Sequence, residues 1–516
     1  MGYSGIGPVS VSERRALAGL LCFLAAILLF GQPVSAAPAR ATPLPGAPTL
    51  SLGPPNLAAM GYVVEEFVVA GTATSYREVA PPDAAGRWNV QPADSAPYVT
   101  RIVVVRPARA DKFNGTVMVE WLNVSGGLDV GPVWNMTRRE MQRSGWAYVA
   151  VSAQRVGIEG GPSLTAAGQP LKKVNPQRYG QLSHPGDAFS YDLFSQVGAL
   201  VKDPSSRLLG TLKPRQVIAV GESQSAGYLT TYVNAVDPSA RVFDGFLIHS
   251  RSGTSARLTP PAPSVTPAAP AATPAAPPAP PRIVKLRSDL RVPVLTFLAE
   301  TDVIGDGIQS GYVRARQPDS NRLRAWEVAG TAHADAYMSQ VGGIDTGSTS
   351  SAQLAAAFRT TNDLRGMKLA MPFNNAPQHH YVLQAGLSHL RRWVAGGAPP
   401  PSGPQLSVTG NGTAGNPIRP ALDAQGNAQG GIRSPWMDVP TGRLSGVGNT
   451  GAPVARLYGL SDPFDAPRLA RLYPGGKAEY LRKFETALDA AIKAGFILAT
   501  DKKEIMGLAA AAYGAP

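Results

Sequence analysis

Between Gln216 and Asn234 the chain passes from a short apolar run into a helix-forming segment through a turn with little room in it. Gln-Val-Ile-Ala-Val is rich in β-branched residues, the pattern of a buried strand. Gly221-Glu222-Ser223-Gln224-Ser225-Ala226 follows, and the segment from Ala226 onward is long and apolar enough to form a helix. A helix that returns this sharply lies against its own strand, so a bulky side chain two positions before or after the apex would clash. Gly221 and Ser225 stand at those two places. This is the geometry of a nucleophile elbow, in which a strained turn holds a serine Oγ out above the end of a sheet. Ser223 is the expected apex, one residue beyond the strand-ending Gly221. Ser225 fits a looser pattern, with Ser223 and Gly227 as its flanks, and is the weaker choice.

A serine hydroxyl needs a base to remove its proton, and the base needs an orienting carboxylate. Where an elbow tops a parallel sheet, the acid and then the histidine follow it in the chain, each on a loop after a strand. Both are present downstream. The strand expected at Pro293 to Leu298 runs into Ala299-Glu300-Thr301-Asp302, and the strand at Leu323 to Val328 runs into Ala329-Gly330-Thr331-Ala332-His333. Both loops leave the carboxyl edge of the sheet, as the elbow does. Asp302 is the preferred acid, because four residues beyond the strand a turn can aim it at an imidazole; Glu300 is the alternative. Of the six histidines, only His333 follows a sheet strand after the acid. His184 and His249 precede it, and His379, His380 and His389 lie on or beside a helix. His249, at a strand end on the same edge, reads as a pocket-lining or structural residue.

The oxyanion formed on attack needs fixed N–H donors. The backbone N–H of Gln224, next to the nucleophile, is one candidate. Val124 is the other, in the small Gly-ended loop Asn123-Val124-Ser125-Gly126-Gly127 after the strand Val117 to Leu122. No HExxH or other tight ligand spacing occurs, so neither a metal nor another cofactor is implied.

The rest of the chain alternates strand and helix. Strands are expected at Tyr62 to Val69, Tyr98 to Arg106, Trp146 to Ser152 and Gly245 to His249, and helices at Pro132 to Arg143, Phe189 to Val201, His380 to Val394 and Ala478 to Ala494. That order predicts a mostly parallel α/β sheet with helices on both faces. A Pro/Ala tract at 259–281 cannot make a core and interrupts the pattern between two sheet strands, so it reads as an insertion within the domain. Beyond Pro399-Pro400-Pro401 the chain turns Gly- and Asn-rich, and this region, about 400–516, is expected to pack on the sheet as a C-terminal elaboration.

At the other end, Arg14-Arg15 precede an apolar run from Ala16 to Phe30 and then Pro33-Val34-Ser35-Ala36. Residues 1–36 therefore read as an export signal with an A-x-A-like processing site, and 37–55 as a Pro/Ala-rich lead-in to a domain at 56–516. The apolar run is short for a membrane span, so no stable span is expected after cleavage. The paired arginines also fit a twin-Arg signal loosely. Cys22, the single cysteine of the 516 residues, lies inside that run, and Leu21 before it is too large for a lipoprotein processing site. The mature chain would have no thiol nucleophile, disulfide or cysteine ligand. Its formal charge of +13 comes from scattered Lys and Arg with no basic run interleaved with aromatics, which argues against nucleic acid as a partner.

The elbow, together with Glu120-Trp121-Leu122-Asn123-Val124-Ser125-Gly126-Gly127, resembles the large bacterial "alpha/beta hydrolase domain" family of exported serine esterases, within the α/β-hydrolase superfamily. Tyr191-Asp192, Gly430-Gly431-Ile432-Arg433-Ser434-Pro435, Asp438-Val439-Pro440 and the helix after Leu472-Tyr473-Pro474 carry the resemblance further. It runs from about Gly61 to the end and departs at the Pro/Ala tract. The resemblance implies the α/β-hydrolase fold and a serine-hydrolase mechanism on a small-molecule or polymeric ester. The alternatives are the same triad acting on a lactone, polyester or C–C bond or in acyl transfer, and a non-catalytic exported binding protein on this scaffold. Arg433 reads as a structural ion-pair residue, with a reach into the pocket as the alternative. Neither the acyl chain nor the oligomeric state follows from the sequence.

Overall fold

Nine strands pair into one sheet in the order β1-β2-β3-β5-β4-β6-β7-β8-β9. The computed structural model describes residues 1–2, 39–53, 56–164, 168–259, 282–305 and 310–514. Nearly all of the expected export signal and of the Pro/Ala tract lies outside them. The strands are β1 (Arg40–Pro43), β2 (Tyr62–Ala80), β3 (Asn89–Pro107), β4 (Thr116–Trp121), β5 (Ala147–Val151), β6 (Gln216–Glu222), β7 (Gly245–His249), β8 (Val294–Ala299) and β9 (Leu323–Val328). From β5 to β9 every neighbouring pair is parallel, while β1, β2 and β3 add an antiparallel extension. The principal helices are α1 (Pro132–Ser144), α2 (Ser190–Lys202), α3 (Gln224–Thr231), the short α4 (Glu300–Ile304), α5 (Gln378–Val394), α6 (Gly476–Lys493) and α7 (Lys502–Ala512).

The sheet is apolar on both faces because helices cover both. On β4, Val117, Val119 and Trp121 enter one core, with α2 and α3, whereas Met118 enters the other, with α1, α5, α6 and α7. This is the two-residue alternation of a pleated strand, and it accounts for an uninterrupted hydrophobic run in the sequence. Trp121 is packed against Tyr191, Phe194 and Tyr228, its ring centroid 5.7, 4.8 and 5.2 Å from theirs. Glu120, on the opposite face, is fully buried under the first turn of α1. Its carboxylate accepts the N–H groups of Val133 (2.8 Å) and Trp134 (3.0 Å) and the Tyr148 hydroxyl (2.8 Å). An acid there satisfies orphan donors of a helix N-terminus and complements its dipole.

Two expectations needed extending. Arg40–Pro43, within the lead-in, pairs with β2 as an edge strand. The β2–β3 hairpin is much longer than the two apolar stretches that announced it, because its distal half is polar, broken by Pro92 and Pro97, and paired mainly with itself. That half is held by α2, where Asp192 accepts the Thr74 N–H (2.7 Å) and Gln196 donates to the Thr72 carbonyl (2.8 Å).

The C-terminal region docks on the free edge of β9. Ile432 bridges Val328 in parallel, its N–H donating to the Glu327 carbonyl (2.7 Å) and its carbonyl accepting from Ala329 (3.1 Å). Arg139 of α1 forks onto Glu504 of α7 (2.6 and 3.0 Å), and Arg143 reaches Asp501 (2.7 Å). Arg433 pairs with Asp438 (2.6 Å) and Asp423 (3.2 Å). The described residues from Ala39 onward belong to one compact unit, and no helix among them is long and apolar enough to cross a membrane.

Candidate active site

The turn after β6 is the strained element of the site. Ser223 has φ 56° and ψ −118°, a conformation that costs a side-chain-bearing residue energy and persists only where the surroundings enforce it. They do so from three sides. The Ser223 N–H donates to the His249 carbonyl at the end of β7 (3.0 Å). The Ser225 hydroxyl, fully buried, donates to the Glu222 carbonyl (2.8 Å) and accepts from the Glu222 N–H (3.2 Å). A Cβ on Gly221 would lie 2.9 Å from the Ser225 carbonyl oxygen, so only glycine fits there. Ser225 thus closes the turn, while Ser223 is left at its apex.

Ser223 Oγ is 2.7 Å from His333 Nε2, and His333 Nδ1 is 2.6 Å from Asp302 Oδ1. Asp302 sits in the first turn of α4, and its other oxygen accepts the Ala299 N–H (2.7 Å), which fixes the carboxylate's plane. The His333 N–H donates to Thr301 Oγ1 (3.0 Å), which in turn donates to the Gly446 carbonyl (2.5 Å). Glu300 does not contact the imidazole. It points into the C-terminal region, accepting from Ser445 Oγ (2.6 Å), Gly446 N–H (3.1 Å) and Gly330 N–H (3.0 Å). Burial raises its pKa, and those three donors oppose the rise.

The loop after β4 is pinned to the elbow. Asn123 pairs with Val130 through two backbone bonds (2.9 and 3.0 Å), and Gly127, at φ 74°, turns back to the Val124 carbonyl (2.9 Å). The Asn123 amide donates to both the carbonyl and the Oε2 of Glu222, each at 3.1 Å. The Val124 N–H takes no part in the loop's backbone pairing. That of Gln224 opens α3, where a helix leaves its N–H groups unpaired. Ser250, Ser252, Thr301, Asp302, Gly305, Ser310, His333 and Leu457 line a recess of about 20 Å³, while clefts of about 640 and 650 Å³ contain none of Ser223, His333 and Asp302.

Two features escaped the sequence. The first is Glu222 itself, completely buried, with Oε1 3.4 Å from His333 Nε2. Burial foremost, and then the charge of Asp302, push its pKa up to about 7, against the pull of His333, His379 and Asn123. The second is a buried chain behind the elbow: His249 Nε2 meets His379 Nε2 at 3.0 Å, and His379 Nδ1 meets Asp335 Oδ2 at 3.1 Å. Burial, reinforced by His379 and His333, holds the His249 pKa well below that of a free imidazole. Glu222 stood in plain view next to the apex, but its facing histidine is a hundred residues away, and no local spacing links His249 with His379. Among the described residues no group of three or more His, Cys, Asp or Glu side chains could hold a metal ion.

The model of a family described as "Alpha/beta hydrolase domain" matches residues 31–507. Among solved structures, one from a structural analysis of two fungal esterases from Rhizomucor miehei aligns at 13% identity and a TM-score of 0.30, covering 76% of this chain and 99% of that one. A thermostable esterase from Pseudomonas putida ECU1011 aligns at 14% and 0.22, covering 49% of this chain and 61% of the other. No curated protein matches.

Proposed function

The chain belongs to the alpha/beta hydrolase domain family, and from that premise we propose that it is an exported serine hydrolase cleaving a carboxylic ester through an acyl-enzyme. The observation that carries the proposal is the unbroken line Ser223 Oγ, His333, Asp302, with hydrogen-bond distances of 2.7 and 2.6 Å. Ser223 Oγ attacks the ester carbonyl as its proton passes to His333 Nε2. Asp302 keeps the other ring nitrogen protonated, orients the ring and offsets the imidazolium charge. The N–H groups of Gln224 and Val124 receive the oxyanion. The imidazolium then gives its proton to the departing alkoxide, and water, deprotonated by His333, releases the acid and restores Ser223. Export is supported by the charged, apolar and small-residue order of Arg14 to Ala36.

Hydrolysis of short p-nitrophenyl esters by the purified protein, followed by organophosphate treatment and location of the label, tests the assignment. Turnover with the label on Ser223 is the expected result. No turnover and no labelled serine would sink the enzyme reading, and a label on Ser225 would move the nucleophile.

A further inference from the structure

The triad imidazole lies between two carboxylates. Asp302 holds Nδ1, and Glu222 Oε1 stands 3.4 Å from Nε2, the nitrogen that faces the nucleophile. At that distance Glu222 does not compete with Ser223, 2.7 Å from the same atom, for the hydrogen bond. It is near enough for a charge to be felt strongly in a water-poor site. We propose, building on the hydrolase reading above, that Glu222 is a positioning residue for the reaction: a second carboxylate that offsets the positive charge His333 gains on its Nε2 side when Ser223 gives up its proton.

Three features support this role over a purely structural one. The carboxylate is buried and, among the described residues, receives one donor, Asn123 Nδ2, at 3.1 Å on Oε2, so Oε1 is left turned towards the imidazole. Glu300, equally buried, is by contrast saturated by three donors and makes no contact with His333. Asn123 also carries the loop that holds Val124, so one side chain sets the carboxylate and the expected oxyanion donor together. The titratable groups acting on or feeling Glu222 are His333, Asp302, His379, Glu120 and Tyr458. The carboxylates favour its neutral form, and the two histidines favour the ionised one. An ionised Glu222 therefore stabilises the imidazolium that forms when Ser223 passes its proton to His333, and takes up or releases no proton itself in that step. The raised pKa, about 7, puts this coupling in the neutral range. No bond forms or breaks at Glu222: the proton travels from Oγ to Nε2 and on to the leaving alkoxide.

Glu222→Gln separates charge from scaffold, because the amide oxygen can still accept from Asn123. The expected outcome is a fall in kcat of about tenfold, the equivalent of one pH unit of proton affinity, with KM unchanged. The acidic limb of the kcat/KM profile should move to lower pH, since the imidazole loses a neighbouring negative charge. Organophosphate should still label Ser223 in this variant. Should Glu222→Gln fail to fold, Glu222→Asp withdraws the carboxylate by one methylene and should move the limb in the same direction by less. A folded variant with the wild-type kcat and the wild-type acidic limb overturns the proposal. Failure of the hydrolase reading looks different: the wild-type protein itself neither turns over ester nor takes the label.

Discussion

Glu300 and Asp302 are two residues apart on one short helix and have opposite surroundings. Asp302 has one oxygen on its own backbone and one on an imidazole, while Glu300 ties the loop carrying His333 to the C-terminal region. Their removal should therefore fail in different ways. Asp302→Ala should cost only about 1 kcal/mol of stability, for the Ala299 N–H left without its acceptor, and lower kcat by about 10⁴-fold, as expected when a triad histidine loses the group that sets its tautomer. Glu300→Ala leaves the Ser445 hydroxyl and the Gly330 and Gly446 N–H groups without their acceptor, which should cost about 2–3 kcal/mol of stability. Denaturant unfolding and steady-state rates on both variants check this, and an inactive but fully stable Glu300→Ala would reverse the roles. From sequence, chain order alone pointed to a loop holding two acids. Choosing between them needed the third dimension, because the groups that occupy Glu300 lie near residue 445.

At the scale of elements, α5 shows how much a helix can hide from pattern reading. The helix was expected at His380 to Val394, yet His379 and His380 on its first turn are buried as deeply as its leucines. His379 is partnered at both nitrogens. His380 is stacked on Tyr337 with ring centroids 3.8 Å apart, and neither ring nitrogen makes a hydrogen bond of normal geometry, although the Pro377 carbonyl acts on it weakly. Burial holds its pKa well below 6.5. In the unfolded chain the same imidazole gains a proton as pH drops through 6.5, so the native state binds fewer protons there and stability falls with acidification. His380→Phe keeps the stacked ring and removes both effects. It should raise stability by about 1 kcal/mol at pH 7.5, the cost of an unsatisfied buried polar group, and the gain should widen towards pH 5. Thermal midpoints across that range measure it, and a gain independent of pH would contradict the burial argument.

For the whole molecule, the sheet was readable because its parallel strands are short, continuous apolar runs, several of them followed by a helical period. What was not readable was everything held by contacts across the fold: the β1 edge, the polar half of the β2–β3 hairpin, and the seat of the C-terminal region on β9. That seat predicts a single cooperative unit. Trp326 lies in β9 and Trp436 in the C-terminal region, both packed in the same core, so the part of the seven-tryptophan signal lost on Trp326→Phe, and the part lost on Trp436→Phe, should each report the same denaturant midpoint as the far-ultraviolet signal. Two separated midpoints would mean that the region folds by itself. Ile432→Pro deletes the N–H that donates to Glu327 and should lower the common midpoint by about 3 kcal/mol of stability without splitting the transition.

The tie between Glu300 and Ser445–Gly446 also bears on time. A ribosome delivers Ser223, Asp302 and His333 well before it delivers the residues that floor their loops. A nascent chain ending before Ser445 holds all three of these side chains but lacks the acceptor for Thr301 Oγ1 and two of the three donors that anchor Glu300. On the proposed mechanism, competence would therefore arrive late in synthesis, and an unfinished molecule would carry Ser223 without the support for the loops of Asp302 and His333.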